Sequence, residues 1–313
     1  MEIIKKILES AFFSNRPPVL IDIGASGEIN QKWKWIAPYS ICIAFDADDR
    51  EFHVTEQTNK EYKKLISFNR IVTSEPADKA TFYLTASPYC SSLLVPQSEK
   101  LEPWIFSDLF KVERSTSLAT ITLAEALTKV NINYIDWFKT DTQGTDLRLY
   151  NTLPQGVSAQ ILAAEFEPGI MDAYAGEDKL FQVMQEMHKN DFWLSSMEVK
   201  GVQRLKSNYA KELGMGTIKR VIRKSPGWAE VTYLRLPIVI AQRQFLMLYI
   251  FALIERQYGF ALEVADKALE KFPDNIFQDC RNTVLKKIKS DRWKIPFIIF
   301  KRQVKKILPG IDD

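Results

Sequence analysis

Two acidic residues and a glycine turn near the start of the chain have the spacing of a cofactor site. The apolar run 19–23 leads into a glycine turn, and Asp22 lies two residues before the first glycine. Asp46 follows a second apolar run 24 residues later, close to the ~20 residues at which a ribose-binding carboxylate follows such a turn. A carboxylate beside the turn would repel a diphosphate and attract the amino and sulfonium groups of S-adenosylmethionine. The spacing therefore favours S-adenosylmethionine over a dinucleotide.

The glycine turn also differs from the dinucleotide fingerprint, because it lacks one of the three glycines of GxGxxG. Taken alone, such a turn is equally compatible with an ordinary strand-to-helix connection that is capped by a serine. Its combination with an acid on the second strand makes a cofactor site the better interpretation. The residues of the two turns that are predicted to contact S-adenosylmethionine are Asp22, Gly24, Ala25, Ser26, Gly27, Asp46 and Ala47.

A second group of ionisable residues lies at the ends of two later apolar runs. Lys139 and Asp141 end the run that starts at residue 134, and Glu165 and Glu167 end the run that starts at residue 161. Methyl transfer to a hydroxyl needs a base to take the proton, and the two histidines of the chain lie in polar surface stretches. We therefore predict Asp141 as the base or acceptor-orienting group, Glu165 as its partner and Lys139 as the neutralising cation.

The alternative for this group is structural. Asp141 would then cap the helix that follows it, and Lys139 would be its ion-pair partner. The spacing of the carboxylates does not establish a metal site.

Strands alternate with helices along residues 1–237, which predicts a parallel, doubly wound α/β sheet of the Rossmann-like type. Short apolar or β-branched runs bounded by turns predict the strands, and amphipathic or polar stretches between them predict the helices. Predicted strands are 19–23, 40–45, 71–72, 81–84, 134–141, 161–166, 193–199 and 229–236, and predicted helices include 48–65, 146–153 and 178–189.

Past Pro237 the sequence is helical. Residues 256–275 resemble the second helix of a tetratricopeptide hairpin, a motif with small residues where two helices meet and a proline after the second. Only one copy is present, so we predict a helical hairpin that packs on the preceding domain. The chain is thus divided into a Rossmann-like methyltransferase domain, 1–237, and a C-terminal helical extension with a basic tail, 238–313.

Composition places the chain among ordinary globular proteins, with 313 residues, 46% hydrophobic and 26% charged. Three widely separated cysteines support neither a disulfide framework nor a zinc site. The start of the chain lacks the apolar stretch of a signal peptide. The longest apolar run, 245–254, is about half the ~20 residues that span a bilayer. These features predict a cytoplasmic protein.

The C-terminal tail is strongly basic. Residues 281–313 carry ten basic and three acidic residues, whereas the whole chain has a net charge of +3. Two interpretations stay open: a solvated basic face on a packed helix, or peripheral contact with the anionic inner face of a membrane. No nucleic-acid partner is predicted, because no aromatic-basic platform or reader motif accompanies the charge. The sequence leaves the oligomeric state open.

These motifs together resemble the FkbM family of methyltransferases over residues 15–200. The resemblance implies a class I methyltransferase fold and transfer of a methyl group to a hydroxyl of a sugar, a glycan or a related small molecule. It also implies that Ser92, in an otherwise ordinary polar loop, contacts S-adenosylmethionine. Gln143 stands where the family usually has glutamate, and it can exchange hydrogen bonds but not act as a base. The matching blocks are VLIDIGASGE (19–28), IAFDAD (43–48), Ser91-Ser92-Leu93, IDWFKTDTQGTDLRLYNTL (135–153) and ILAAEFEP (161–168).

Two other functions compete with this expectation. A non-catalytic protein with a degenerate cofactor fold would act as an interaction module through its C-terminal helices. A nicotinamide-dependent oxidoreductase would bind a dinucleotide at the same glycine turn.

Overall fold

The computed structural model describes residues 2–24, 30–45, 61–238 and 240–294. It contains a central seven-stranded sheet and a small three-stranded one. The strands of the central sheet are β1 (Val19–Ile23), β2 (Ile41–Phe45), β3 (Lys64–Phe68), β7 (Trp137–Thr140), β8 (Ala163–Phe166), β9 (Phe192–Gln203) and β10 (Lys224–Arg235). The small sheet consists of β4 (Ile71–Val72), β5 (Lys79–Thr85) and β6 (Val112–Ile121).

The central sheet has the strand order β3-β2-β1-β7-β8-β10-β9. Strands β3, β2, β1, β7 and β8 are parallel, and β10 runs antiparallel to both of its neighbours. The order reverses between β1 and β7, so the crevice outside the carboxyl ends of these strands is where ligands bind in such sheets. The predicted Rossmann-like α/β class is confirmed.

Short α-helices connect the strands in the first part of the chain, and three longer ones follow the last strand. In chain order they are α1 (Glu2–Leu8), α2 (Ala11–Ser14), α3 (Ser98–Leu101), α4 (Leu123–Lys129), α5 (Asp146–Asn151), α6 (Gln155–Ser158), α7 (Leu180–Lys189), α8 (Tyr209–Leu213), α9 (Met215–Val221), α10 (Gln242–Ile254), α11 (Tyr258–Lys271) and α12 (Asn275–Asp291).

The two faces of the central sheet belong to two hydrophobic cores. Side chains alternate along each strand, so Ile21 and Phe138 lie in one core with residues of α4, α5 and α7. Leu20 and Trp137 lie in the other, together with residues of α1, α10, α11 and α12. The face opposite α4, α5 and α7 is therefore covered by α1 and by α10, α11 and α12.

Helix α10 is part of this second core. Residues 245–252 have no exposed surface, as expected for a helix that is apolar on every side. The predicted boundary at residue 237 therefore divides the chain but not its core, because the C-terminal helices form one layer of the domain. The segment expected to be the second helix of a hairpin is α11, which packs against both α10 and α12. Within the described residues, no helix is both long and apolar enough to cross a membrane.

A buried ion pair fixes the start of α10 against the sheet. The guanidinium of Arg243 donates to both carboxylate oxygens of Asp136, at 2.7 and 2.8 Å. It also donates to the carbonyl oxygens of Arg16 and Pro17, just before β1. Asp136 in turn accepts a hydrogen bond from the backbone N–H of Val19. The pair thus connects α10 with the first residues of β1 and β7.

The chain departs from the predicted elements after β2. The third strand of the central sheet is β3, which pairs with β2, whereas the prediction extended a helix to residue 65. The predicted strand 71–72 exists but belongs to the small sheet, where it pairs with β6. Because β3 mixes polar with apolar residues and is only partly buried, its pattern lacks the continuous apolar run of a central strand.

Candidate active site

A cavity of about 480 Å³ opens where the strand order reverses. Ile23 and Gly24 line it at the end of β1, Phe45 at the end of β2, Asp141 after β7 and Glu167 after β8. The neighbouring carboxyl ends of four parallel strands thus contribute to one space, as the topology predicts.

Gly24 makes the close contact between the ends of β1 and β7 possible. Its φ is +80°, a conformation that L-residues with side chains rarely adopt. A Cβ at this position would overlap the carbonyl oxygen of Asp141. The backbone N–H of Asp141 donates to the carbonyl oxygen of Ile23 at 2.9 Å, and Gly24 donates to Phe45 at 3.0 Å. The backbone therefore requires glycine at position 24 for a structural reason that does not depend on a cofactor.

Asp22 does not face this cavity, contrary to its predicted role. Its side chain has no exposed surface, and one carboxylate oxygen lies 2.5 Å from the Nζ atom of Lys139. Burial acts to lower the pKa of Lys139, but the carboxylates of Asp22 and Asp141 outweigh it and raise the pKa above the usual value. The charge of Asp22 is therefore compensated by Lys139 inside the protein. The predicted attraction between Asp22 and a cationic cofactor is not supported.

Asp141 is paired with Glu167. The sequence had predicted Glu165 as its partner, and that prediction is wrong. The register of β7 and β8 places Lys139 opposite Glu165. Asp141 and Glu167 each lie two positions further along and therefore meet beyond the strand ends. Burial, together with the charge and the hydrogen bond of Asp141, raises the pKa of Glu167 to about 9. At neutral pH Glu167 is thus protonated and donates to the Asp141 carboxylate.

Glu165 belongs to a separate ionic group, which it forms with Lys32 and Glu255. Lys32 lies 3.1 Å from the carboxylate of Glu165 and 3.3 Å from that of Glu255, and the side-chain amide of Asn30 donates to Glu165 at 3.4 Å. Burial raises the pKa of Glu165 while Lys32 opposes the shift. The structure therefore assigns Glu165 to an ion pair that joins the β8 strand to the 30–36 segment.

The alternative in which Lys139 is the ion-pair partner of a capping Asp141 does not match the contacts either. The side chain that caps the turn before α5 belongs to Asp146. It accepts hydrogen bonds from the backbone N–H and hydroxyl of Thr142, at 2.9 and 2.6 Å, and from the hydroxyl of Thr140 at 3.2 Å. Its second oxygen accepts from the backbone N–H of Glu167 at 2.8 Å. Asp146 thus holds the ends of β7 and β8 in place.

Asp146 is itself perturbed by this position. Burial raises its pKa to about 6, and the nearby charge of Asp141 adds to the shift, while hydrogen bonds from Thr142 and Glu167 oppose it. Sequence reasoning missed Asp146. The available signal was an aspartate two residues after a glycine at the start of a predicted helix, a position where carboxylates cap exposed N–H groups.

Gln143 connects the carboxylate pair to the opposite wall of the cavity. Its side-chain amide donates to Asp141 at 2.7 Å, and its amide oxygen lies 3.3 Å from the hydroxyl of Tyr174. Tyr174 also donates to the carbonyl oxygen of Cys90 at 2.8 Å. Gln143 has a φ of +56°, which a short turn between β7 and α5 imposes. An amide at this position orients Asp141 without adding a further negative charge beside it.

Ser92, predicted to contact the cofactor, is buried and holds the turn that carries Gln143. Its hydroxyl donates to the carbonyl oxygen of Gln143 at 2.8 Å and accepts from the backbone N–H of Leu94 at 3.0 Å. Its neighbour Ser91 lines the cavity instead. The 91–93 loop therefore does reach the site. Ser91 lines the cavity, whereas Ser92 supports the turn that carries Gln143.

The far wall of the cavity is aromatic. Phe106 and Trp228 stack with centroids 6.2 Å apart and planes inclined by 7°. Phe110 packs edge-on against Phe106 and lies next to Tyr174. This wall combines residues of the β9–β10 hairpin with the segment that follows α3. A ligand would therefore meet carboxylates on one side and flat apolar surfaces on the other.

Glu177 shapes the loop between this wall and the carboxylates. Its carboxylate accepts from the backbone N–H of Ala173 at 2.7 Å and from Tyr174 at 3.3 Å. The Nζ atom of Lys179 lies 2.7 Å from the same oxygen and also donates to the carbonyl oxygen of Met171. The loop is therefore held by its own buried ion pair.

Several residues predicted to contact a cofactor lie outside the described part of the chain. These are the remainder of the glycine turn and the residues after β2: Ala25, Ser26, Gly27, Asp46 and Ala47. The residues immediately before them, Gly24 and Phe45, both line the cavity.

Comparison with known proteins adds no relative to these observations. No family model matches the chain, and no curated protein matches it either.

Proposed function

We propose that this protein is an S-adenosylmethionine-dependent methyltransferase that acts on a hydroxyl group. The observation that carries the proposal is the Asp141–Glu167 pair, which lies beside Gly24 in a cavity at the reversal point of a Rossmann-like sheet. The resemblance to the FkbM family, with its strand that ends in Lys139 and Asp141, supports the same function.

The charges of the cavity favour a cationic cofactor over a diphosphate. Among the described residues that line it, Asp141, Glu167 and Glu177 are acidic and Arg70 alone is basic. Glu167 is protonated at neutral pH, and Glu177 is paired with Lys179. The carboxylate that argues for S-adenosylmethionine is thus Asp141, which replaces Asp22 in that argument. A diphosphate beside Asp141 would meet a like charge in a partly buried space.

Strand order adds a second argument against a nicotinamide cofactor. Dinucleotide-binding sheets commonly have six parallel strands in the order 3-2-1-4-5-6. Here the antiparallel strand β10 is inserted after the fifth strand, so only the first five strands of this order are matched.

The cofactor would be held by the Gly24 turn with the residues that follow it, and by the residues that follow Phe45. It would supply an electrophilic methyl group. The protein has to bring the acceptor oxygen in line with this group and exclude water, and such alignment accounts for much of the rate enhancement in transfers of this kind. The aromatic wall of Phe106 and Trp228 offers the surface on which the body of an acceptor would rest.

Proton removal falls to Asp141. Glu167 is protonated at neutral pH and cannot act as a base, whereas Asp141 accepts hydrogen bonds from Glu167 and Gln143. Asp141 would accept the proton of the acceptor hydroxyl as the oxygen forms its bond to carbon. A positioned base of this kind contributes ~10²–10⁴-fold to the rate of such reactions.

Calorimetry with S-adenosylmethionine and with NAD⁺ tests the proposal. We expect wild type to bind S-adenosylmethionine and not NAD⁺. Gly24→Ala should lose this binding, because its Cβ displaces the Asp141 backbone. Gly156→Ala is the matched control, since Gly156 is exposed on α6 with open space around its Cβ position. Binding of NAD⁺ alone, or of neither compound by a folded wild type, would refute the function.

A further inference from the structure

The connection between β9 and β10 forms a small helical hairpin with an unusual surface. We call residues 204–223 the α8–α9 hairpin, because they contain both of those helices. It carries six basic residues and one acidic residue, a net charge of +5, whereas the whole chain has a net charge of +3. The rest of the protein is therefore acidic overall.

Large apolar side chains are exposed on the same hairpin. Val221 is 76% exposed, and Tyr209, Leu213 and Met215 are each between 41% and 45% exposed. Tyr209 and Leu213 are four residues apart on α8, so they lie on one face of that helix. Ile218 is the anchor of the hairpin, since its side chain is fully buried. The exposed residues thus contribute little to holding the hairpin on the protein.

The cations at the base of the hairpin have partners within the protein. Lys206 lies 2.7 Å from the carboxylate of Glu102, and Arg204 lies over the ring of Trp104. The other four cations of the hairpin differ, because no ion pair involves them within the described ranges. These cations are Lys211, Lys219, Arg220 and Arg223.

We propose that the α8–α9 hairpin docks on an anionic lipid surface. Apolar side chains that alternate with cations are the pattern of segments that lie in a membrane interface, where the apolar groups insert and the cations contact lipid phosphates. A second copy of this chain is a poorer occupant, because a symmetric contact would bring two such basic surfaces together. The proposal is independent of methyl transfer and does not involve the basic C-terminal tail.

Vesicle co-sedimentation of the full chain tests the docking. We expect binding to phosphatidylcholine vesicles that contain phosphatidylserine, little binding to phosphatidylcholine alone, and a decrease with added salt. The charge variant Lys219→Gln/Arg220→Gln and the apolar variant Leu213→Ser/Val221→Ser should each bind about tenfold more weakly. Unchanged binding by both variants would overturn the proposal, as would the absence of binding by wild type.

Matched controls come from exposed residues elsewhere. Phe181 on α7 is 68% exposed, and Lys267 on α11 lies on the surface in a pair with Glu263. Phe181→Ser and Lys267→Gln should retain wild-type binding to the anionic vesicles. An equal loss in these controls would mean that the effect is not specific to the hairpin, and the proposal would fail.

A local probe separates the hairpin from the tail. All three native cysteines are buried and burial raises the pKa of each thiol, so an exposed thiol can be labelled selectively at neutral pH. A polarity-sensitive dye on Gly216→Cys should shift to the blue with anionic vesicles, whereas the same dye on Gly156→Cys should not. Both glycines have open space around the Cβ position. Vesicle binding without a shift at position 216 would overturn the proposal.

Discussion

At the scale of single residues, the site depends on two neighbouring carboxyl groups in different environments. Glu167 is held neutral by burial and by Asp141, and Asp141 is held in place by Glu167 and by Gln143. Pairs of titratable groups with such different environments are how proteins divide acid and base roles. The amide of Gln143 fits this arrangement, because a glutamate there would add a further negative charge beside Asp141.

The raised pKa of Glu167 predicts a pH dependence of folding. Glutamate has a pKa of ~4.3 in an unfolded chain, so between that pH and about 9 the folded state binds the extra proton. The free energy of unfolding should therefore fall as the pH rises through this window, by at most about 1.4 kcal/mol per pH unit from this group. In Glu167→Gln this slope should be smaller between pH 6.5 and 8.5, a range above the pKa of about 6 of Asp146.

Denaturant unfolding at a series of pH values measures this slope. Glu198→Gln, on the exposed part of β9, serves as the control and should follow the wild-type curve. If Glu167→Gln and wild type have the same slope, Glu167 is ionised in the folded protein and the assignment of Asp141 as the base loses its support.

Sequence reasoning found Asp141 but not its partner, for a physical reason. An aspartate at the end of a buried strand, just before a glycine, is recognisable from composition and turn residues alone. The choice between Glu165 and Glu167 requires the register of β7 and β8, which α5 and α6 separate along the chain. The two glutamates lie on the same face, because they are two residues apart. A register shift of two residues would therefore exchange them opposite Asp141, and the sequence pattern does not fix that register.

At the scale of elements, α10 explains why the sheet needs the C-terminal part of the chain. A helix with no polar face cannot lie on the surface, and α10 is covered by the sheet on one side and by α11 and α12 on the other. The sequence indicated a helix but not its location. Its lack of a polar face was the available signal for burial.

We predict that Arg243 is essential for the packing of α10 against the sheet. Arg243→Met removes the partner of Asp136, which is itself 1% exposed, and leaves an uncompensated buried charge. The loss should be about 3–5 kcal/mol in the free energy of unfolding, measured by denaturant titration. Arg281→Met is the control. It breaks an exposed pair with Asp266 and should cost less than about 1 kcal/mol. Similar losses in both variants would contradict the assigned role of the buried pair.

At the scale of the whole molecule, the fold class follows from the alternation of strands and helices, but the layer arrangement does not. Local patterns predicted β1, β2, β7, β8 and the last two strands. They did not predict that the small sheet takes Ile71–Val72, because pairing between distant segments depends on packing. The predicted division at residue 237 also came from local patterns alone. A change in local pattern resembles a domain boundary even when the residues on its two sides share one core.

At this scale, acidic and basic residues are concentrated in different parts of the molecule. Three of the four charged residues in the described cavity lining are acidic, whereas the α8–α9 hairpin is basic. Trp228 of the aromatic wall follows the last residue of the hairpin by five positions. A cationic cofactor and an anionic surface would thus be drawn to different parts of the same protein.

A crystal structure with bound S-adenosylhomocysteine tests the central claim most directly. The account predicts that the compound lies in the cavity at the end of β1, in contact with Gly24, with its sulfur on the side of Asp141. The acceptor space would then extend from that sulfur toward Phe106 and Trp228. A compound bound elsewhere, or a diphosphate found beside Asp141 instead, would contradict the account.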